Sequence, residues 1–275
     1  MSGADRDMAS PWHRRVLRRG RTGGPCAIVN AVTSSTASEA AVPRSRIATF
    51  VHHRARLTEG QQRAWDRSWP THGRDVDDLL ADPATYDPPA WFGRRAPLVL
   101  EIGSGMGEST AALAAATPDH DHLAVEVFEP GLAQLLMRIE DAELTNLVVL
   151  RGDAVELLRT CVPPDSLAEV RILFPDPWPK RRHRKRRLVQ PEVVALLASR
   201  LAPGGALHLA TDWDDYAAQM RVVCDAEPLL AGGPTPRPQW RPVTKFEERA
   251  HLEGRDVHDL RYRLRPIGSG EDPVA

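Results

Sequence analysis

Leu98-Val99-Leu100-Glu101-Ile102-Gly103-Ser104-Gly105-Met106-Gly107-Glu108 decides the fold. An apolar run interrupted by one acid leads into three glycines at alternate positions, and a helical pattern, 108–116, follows. Glycines at such a junction let the chain turn through positive φ and let a ligand approach the backbone. The same alternation continues downstream. Strands are expected at 98–102, 123–127, 147–150, 170–174, 206–211 and 260–265, and helices at 131–142, 154–160, 192–201 and 216–225. This order predicts an α/β protein with a doubly wound, mostly parallel sheet and helices on both faces. Ligands in that architecture bind beyond the carboxyl ends of the strands.

Working outward, Thr58-Glu59-Gly60-Gln61 has the spacing of a capping box and predicts a helix start. Residues 83–89 read as a turn-rich linker, and Pro203-Gly204-Gly205 as a turn. Residues 1–45 are rich in Arg, Gly, Ser, Thr and Ala without periodicity, so they are expected to form a disordered tail. Asp5, Asp7 and Glu39 argue against a transit peptide. The folded domain is expected over 46–267, with a second tail at 268–275.

The 275 residues are 42% hydrophobic and 27% charged, as in an ordinary globular enzyme, and carry a net charge of −1. Distribution says more than the total. Seven of the 36 Lys and Arg residues fall within Lys180 to Arg187, a patch dense enough to bind nucleic acid locally. Cys26, Cys161 and Cys224 are odd in number and lack a CxxC pattern, which argues against disulfides and zinc and fits a reducing compartment. His52-His53 reads as a surface pair, and no histidine pattern suggests a metal site. No apolar run reaches the ~18 residues of a membrane span, and no secretory signal is seen. A cytoplasmic protein without a metal is expected, as monomer or homodimer.

Glu101 bears on the cofactor. A dinucleotide site prefers G-x-G-x-x-G, with pyrophosphate on a helix N-terminus. Here the spacing is G-x-G-x-G, and a carboxylate at Glu101 would repel pyrophosphate yet hold an ammonium. That favours S-adenosylmethionine, which has a zwitterionic end and a cationic sulfur. Gly103 and Gly105 would admit it, Glu126 at the second strand end would accept ribose hydroxyls, and Asp153 after the third would receive an adenine amino group. Asp153 with Glu156 also reads as a helix cap.

Phe174-Pro175-Asp176-Pro177-Trp178-Pro179-Lys180 then offers one carboxylate between two prolines. Proline fixes its own φ and biases its predecessor towards extended geometry, so Asp176 should sit on a stiff, non-helical turn. Trp178 suits either base stacking or core packing. Arg182, Arg184, Lys185, Arg186 and Arg187 beside this turn are expected to meet phosphates.

Glu101 to Gly107, Phe174 to Lys180 with its basic extension, Ala210-Thr211-Asp212-Trp213 and Thr244-Lys245-Phe246-Glu247 together resemble the tRNA (guanine-N7)-methyltransferase family. Arg56 to Gln62 is similar to that family's opening segment, and the resemblance runs in order from about Phe50 to Arg265. It implies a Rossmann-like class I methyltransferase that makes 7-methylguanine at position 46 of tRNA from S-adenosylmethionine. By resemblance Glu101, Glu126 and Asp153 bind the donor, Asp176 is the catalytic-site acid, and Lys180, Asp212, Thr244, Lys245, Phe246 and Glu247 bind substrate. Ser104 departs from the family's common aromatic, Phe128 from its His or Tyr, and Gly254 to Leu260 match only approximately.

Guanine N7 carries a lone pair and no proton, so it needs no general base. The purine gains a positive charge, which a nearby carboxylate stabilises. Guanine N1-H and its N2 amino group are donors that suit acids such as Asp176, Asp212 or Glu247. The alternatives are a methyltransferase acting on another RNA position or on a protein, a non-catalytic RNA-binding module on the same core, and a NAD-dependent oxidoreductase.

Overall fold

The computed structural model describes residues 56–266. The expected tails, Cys26 and the His52-His53 pair lie outside the described residues. Helix α1 (Glu59–His72) starts on the expected box: Thr58 Oγ1 accepts from Gln61 N at 3.3 Å and Gln61 Oε1 from Thr58 N at 3.0 Å. A short strand β1 (Gly73–Asp75) and helix α2 (Val76–Ala81) come next. The stretch expected as a plain linker holds a 3-10 turn, Pro83–Thr85, and helix α3 (Pro88–Phe92). Both begin on proline, where the missing N–H would have had no intrahelical partner anyway.

The expected alternation follows as β2 (Leu98–Ile102), α4 (Glu108–Ala116), β3 (Asp121–Glu126), α5 (Glu129–Asp141), β4 (Leu147–Arg151), α6 (Ala154–Thr160) and β5 (Leu167–Leu173). The basic run forms a 3-10 helix, Arg181–Arg186, before α7 (Pro191–Ala198), β6 (Leu201–Thr211), α8 (Asp214–Asp225), β7 (Leu230–Thr235), α9 (Lys245–Leu252) and β8 (His258–Leu264). Strand β6 runs through the expected turn at Pro203 to Gly205. Its register with β5 shifts there, and Gly204 takes φ +77°, so the turn residues form a bulge. Strand β7 and helix α9 had no sequence prediction, because Gly232, Gly233 and Pro234 in one and Lys245, Glu248 and Arg249 in the other hide the apolar period.

The eight strands lie in the order β1-β4-β3-β2-β5-β6-β8-β7, all parallel except β8, which is antiparallel to both neighbours. The order reverses between β2 and β5, so the carboxyl ends of these strands open the crevice where such sheets take ligands. Every residue of β2 is buried, as expected of a central strand covered on both faces. Leu100 and Ile102 face one apolar layer, with Val155 of α6, Val194 of α7 and Met220 of α8. Ala124, the sheet partner of Glu101, packs in a second layer with Ala111 of α4 and Leu132 and Leu135 of α5. Glu101 is therefore turned towards that second layer.

Candidate active site

The glycine loop is held by its neighbours. Gly103, Gly105 and Gly107 have φ of +84°, +55° and +74°, a region that L side chains rarely adopt. A Cβ on Gly131, in the first turn of α5, would lie 2.2 Å from the Gly105 carbonyl oxygen, so only glycine fits there. Glu126 Oε2 accepts from Gly105 N at 2.8 Å, while its Oε1 accepts from Val127 N at 2.7 Å and Phe128 N at 3.0 Å. Expected as a ribose acceptor, Glu126 also ties the loop to the end of β3. A carboxylate offers about four acceptor sites, so one remains for a ligand hydroxyl.

Glu101 is 5% exposed and accepts from Thr110 Oγ1 of α4 at 3.0 Å. Burial pushes its carboxyl up to about 7, although the nearby Arg171 guanidinium and Thr110 oppose the rise. Arg171 stands beside Glu101 in the β2–β5 register and gives its Nε to Glu169 at 2.6 Å. Asp153 caps α6, its Oδ1 accepting from Val155 N at 2.8 Å, so the capping expectation holds, and the residue also lines the cavity.

Phe174 and Trp178 bracket Asp176 with φ of +52° and +43°. Left-handed backbone at bulky residues is strained and gathers at functional sites. Asp176 is exposed on an irregular segment at the end of β5, as the two prolines require. Arg187 corrects the sequence expectation. Its guanidinium is buried, donates to Pro177 O at 2.8 Å and to the Asp215 carboxylate, and packs 4.6 Å from the Tyr216 ring centroid. It braces the Asp176 turn and has no access to RNA. Arg184 pairs with Asp215 at 2.6 Å, and Arg186 lies 4.9 Å over the Trp178 ring, while Arg182 and Lys185 project outward. Trp178 is half-buried and sits under this arm, outside the cavity wall.

Of the residues expected to bind substrate, Thr244, Lys245 and Phe246 line the cavity, and Lys180, Asp212 and Glu247 do not. Lys180 is exposed at the start of the basic helix. Asp212 accepts from Arg255 at 2.7 Å. Glu247, 1% exposed, accepts from Arg237 at 2.6 Å and Arg241 at 2.7 Å, so its carboxylate is not offered to guanine. Arg241 also donates to Asp259, which binds His208 at 2.9 Å. This network fixes α9 to the sheet. Lys245 Nζ reaches Glu108 Oε1 at 2.9 Å, linking the first turn of α9 to that of α4 and holding the Glu108 carboxyl below its usual range. Sequence reading missed Arg171, Thr110, Arg237 and Arg241. Arg171 left one signal, a charge inside an otherwise apolar central strand.

The cavity, ≈ 420 Å³, gathers Glu101, Gly103, Gly105, Glu126, Asp153 and Asp176 on one wall system. Five carboxylates (Glu101, Glu108, Glu126, Asp153, Asp176) and one ammonium, Lys245, line it. That balance disfavours a pyrophosphate and suits a cationic ligand. Ser104 Oγ and Ser109 Oγ are buried at the same wall without a hydrogen-bond partner among the described residues. Buried hydroxyls of that kind call for a polar ligand or water. The set fits an S-adenosyl-type donor. Among the described residues no group of three or more His, Cys, Asp or Glu side chains could hold a metal ion, and no helix is long and apolar enough to cross a membrane.

Residues 95–260 match a family model described as "Putative methyltransferase". The chain is 50% identical over 225 residues to the tRNA (guanine-N(7)-)-methyltransferase of Bordetella pertussis, covering 80% of this chain and 85% of that one. It is 51% identical over 227 residues to the protein of the same name from Halorhodospira halophila, covering 81% and 96%. Among solved structures, the 16S rRNA (adenine(1408)-N(1))-methyltransferase of Catenulisporales acidiphilia is 17% identical with a TM-score of 0.48, covering 68% of this chain and 94% of that one.

Proposed function

We propose, since this chain belongs to the tRNA (guanine-N(7)-)-methyltransferase family, that it methylates guanine 46 of the tRNA variable loop at N7, in the cytoplasm, with S-adenosylmethionine as donor. The observation that carries this reading is the cavity wall, where acids from successive strand ends meet Asp176. When bound, the donor supplies a methyl group on a cationic sulfur, and its transfer leaves the positive charge on the purine. Glu101 is the counter-ion for the donor's ammonium, with Thr110 fixing its rotamer. Glu126 holds the loop closed and offers its remaining lone pair to a ribose hydroxyl. Asp153 keeps one oxygen on the α6 cap and presents its edge to the adenine amino group. Asp176 accepts from guanine N1-H and N2 and stabilises the charge that develops on the ring. It takes no proton in the bond-forming step, because N7 has none. Arg182 and Lys185 supply phosphate contacts beside the mouth.

The test is incubation with labelled S-adenosylmethionine and unmodified tRNA, followed by nucleoside analysis and mapping of the modified position. Label in 7-methylguanosine at position 46 is expected, and label at another base or position sinks the reading. Asp176→Ala should lower the single-turnover rate by about 10²–10³, as loss of one preorganised electrostatic contact does. At saturating donor the wild-type rate should be flat between pH 6 and 8.5. A rate that follows one deprotonation there would show that a base is needed after all.

A further inference from the structure

Phe246 is 60% exposed at the first turn of α9. Its ring lies nearly parallel to that of Phe174, at 16°, with centroids 6.2 Å apart, and both rings line the cavity that contains Asp176. Stacked bases are about 3.4 Å apart, so a purine held between two rings needs about 6.8 Å. The centroid distance is the upper limit of the gap between the two ring planes, so the slot must open by at least about 0.6 Å, which rotation of the exposed Phe246 side chain supplies. Phe174 is held more firmly. Its backbone is in the left-handed region, and the buried Arg241 guanidinium packs 5.5 Å from its centroid.

We propose that Phe174 and Phe246 clamp the target guanine by its two faces and bind it more tightly as it becomes cationic; this rests on the guanine-N7 reading above. In the transfer the N7 lone pair forms the new N–C bond. The S–C bond breaks with its electron pair staying on sulfur, and the positive charge passes to the purine. Aromatic faces carry negative quadrupole density, so they attract a cationic ring more strongly than a neutral one. An interaction that grows as the charge develops lowers the barrier rather than only the binding constant. Asp176, two residues beyond Phe174, then lies at the rim of the slot, where the purine's Watson–Crick edge emerges. Specificity and clamping thereby come from one turn of chain.

Phe246 is the residue to change, because its exposure keeps misfolding from confounding the result, whereas Phe174 has a strained backbone. Truncating a base–aromatic stack costs about 5- to 150-fold. Phe246→Leu should lose that much in single-turnover rate at saturating donor, and Phe246→Trp should recover most of it. Donor binding by calorimetry should stay within about twofold in both, which a merely structural role would not predict. As a second readout, wild type should bind 7-methylguanosine monophosphate more tightly than guanosine monophosphate, and Phe246→Leu should lose that preference. A Phe246→Leu enzyme with wild-type rate, or equal affinity of wild type for the two nucleotides, overturns the clamp. Absence of label at guanine 46 with wild type would instead overturn the underlying reading, and the nucleotide titrations would still decide the clamp.

Discussion

Arg187 gives two hydrogen bonds to Asp215, at 2.8 and 2.9 Å, from a side chain only 1% exposed. The last residue of the most basic stretch in the chain thus belongs to the interior, where it holds the Pro177 carbonyl and so the Asp176 turn.

Arg187→Ala should therefore behave as a stability mutation. Breaking a fully buried ion pair costs about 3–5 kcal/mol, but Asp215 is a third exposed and keeps Arg184, so a loss of about 2 kcal/mol is expected by urea unfolding. Replacing Arg182 and Lys185 by alanine should leave stability within about 0.5 kcal/mol. It should flatten the log–log salt dependence of tRNA binding by ~0.7–0.9 for each phosphate that is no longer neutralised. An unchanged salt slope would remove this arm from the RNA interface.

Donor affinity should depend on pH through Glu101. Burial raises its carboxyl to about 7, and a bound ammonium favours the ionised form, so the donor binds with release of a proton at low pH. Affinity should fall as pH drops below about 7 and level off above it. Calorimetry in buffers of different ionisation enthalpy should show the proton, and Glu101→Gln should abolish both effects. The unliganded protein has the opposite trend. Its folded state binds this proton more tightly than the unfolded chain does, so the Glu101 contribution to stability falls as pH rises from about 4.5 to 7.

Gly131→Ala sets two effects against each other. Alanine in a helix is worth about 0.5–1 kcal/mol over glycine. A Cβ at 2.2 Å from the Gly105 oxygen forces the loop away from α5. The clash should win, since the loop backbone cannot yield without straining the Glu126 contact to Gly105, and the same carboxylate holds the start of α5 through Phe128 N. Donor affinity should fall by more than about tenfold, a size equal to ~1.4 kcal/mol. Retention of wild-type affinity would show that the loop has slack.

Glu247→Ala should lower stability by about 2–3 kcal/mol, less than the ~3–5 kcal/mol of a buried charge left with no partner, because the buried Arg241 keeps Asp259 and the half-buried Arg237 keeps the Arg241 carbonyl. The size of the loss, read from denaturant unfolding without tRNA, separates this pinning role from guanine recognition. A variant with native stability and a selective defect in tRNA methylation would return Glu247 to the substrate site.

The alternation of strands and helices, the glycine loop, the capping box at Thr58 and the acids that end each strand were legible because they are written within a few residues of one another. Period, turn chemistry and helix caps are local, and so is the bias of Pro175 and Pro177 against helix. Tertiary structure alone decided which charges line the cavity and which face each other. Arg187 and Lys185 are two residues apart, yet one meets Asp215 and the other solvent. Glu247 and Phe246 are adjacent, yet one is locked by Arg241 and the other opens to the cavity. A charged side chain's role depends on partners distant in the chain and on which side of its element faces the sheet. Neither is specified by its neighbours in sequence.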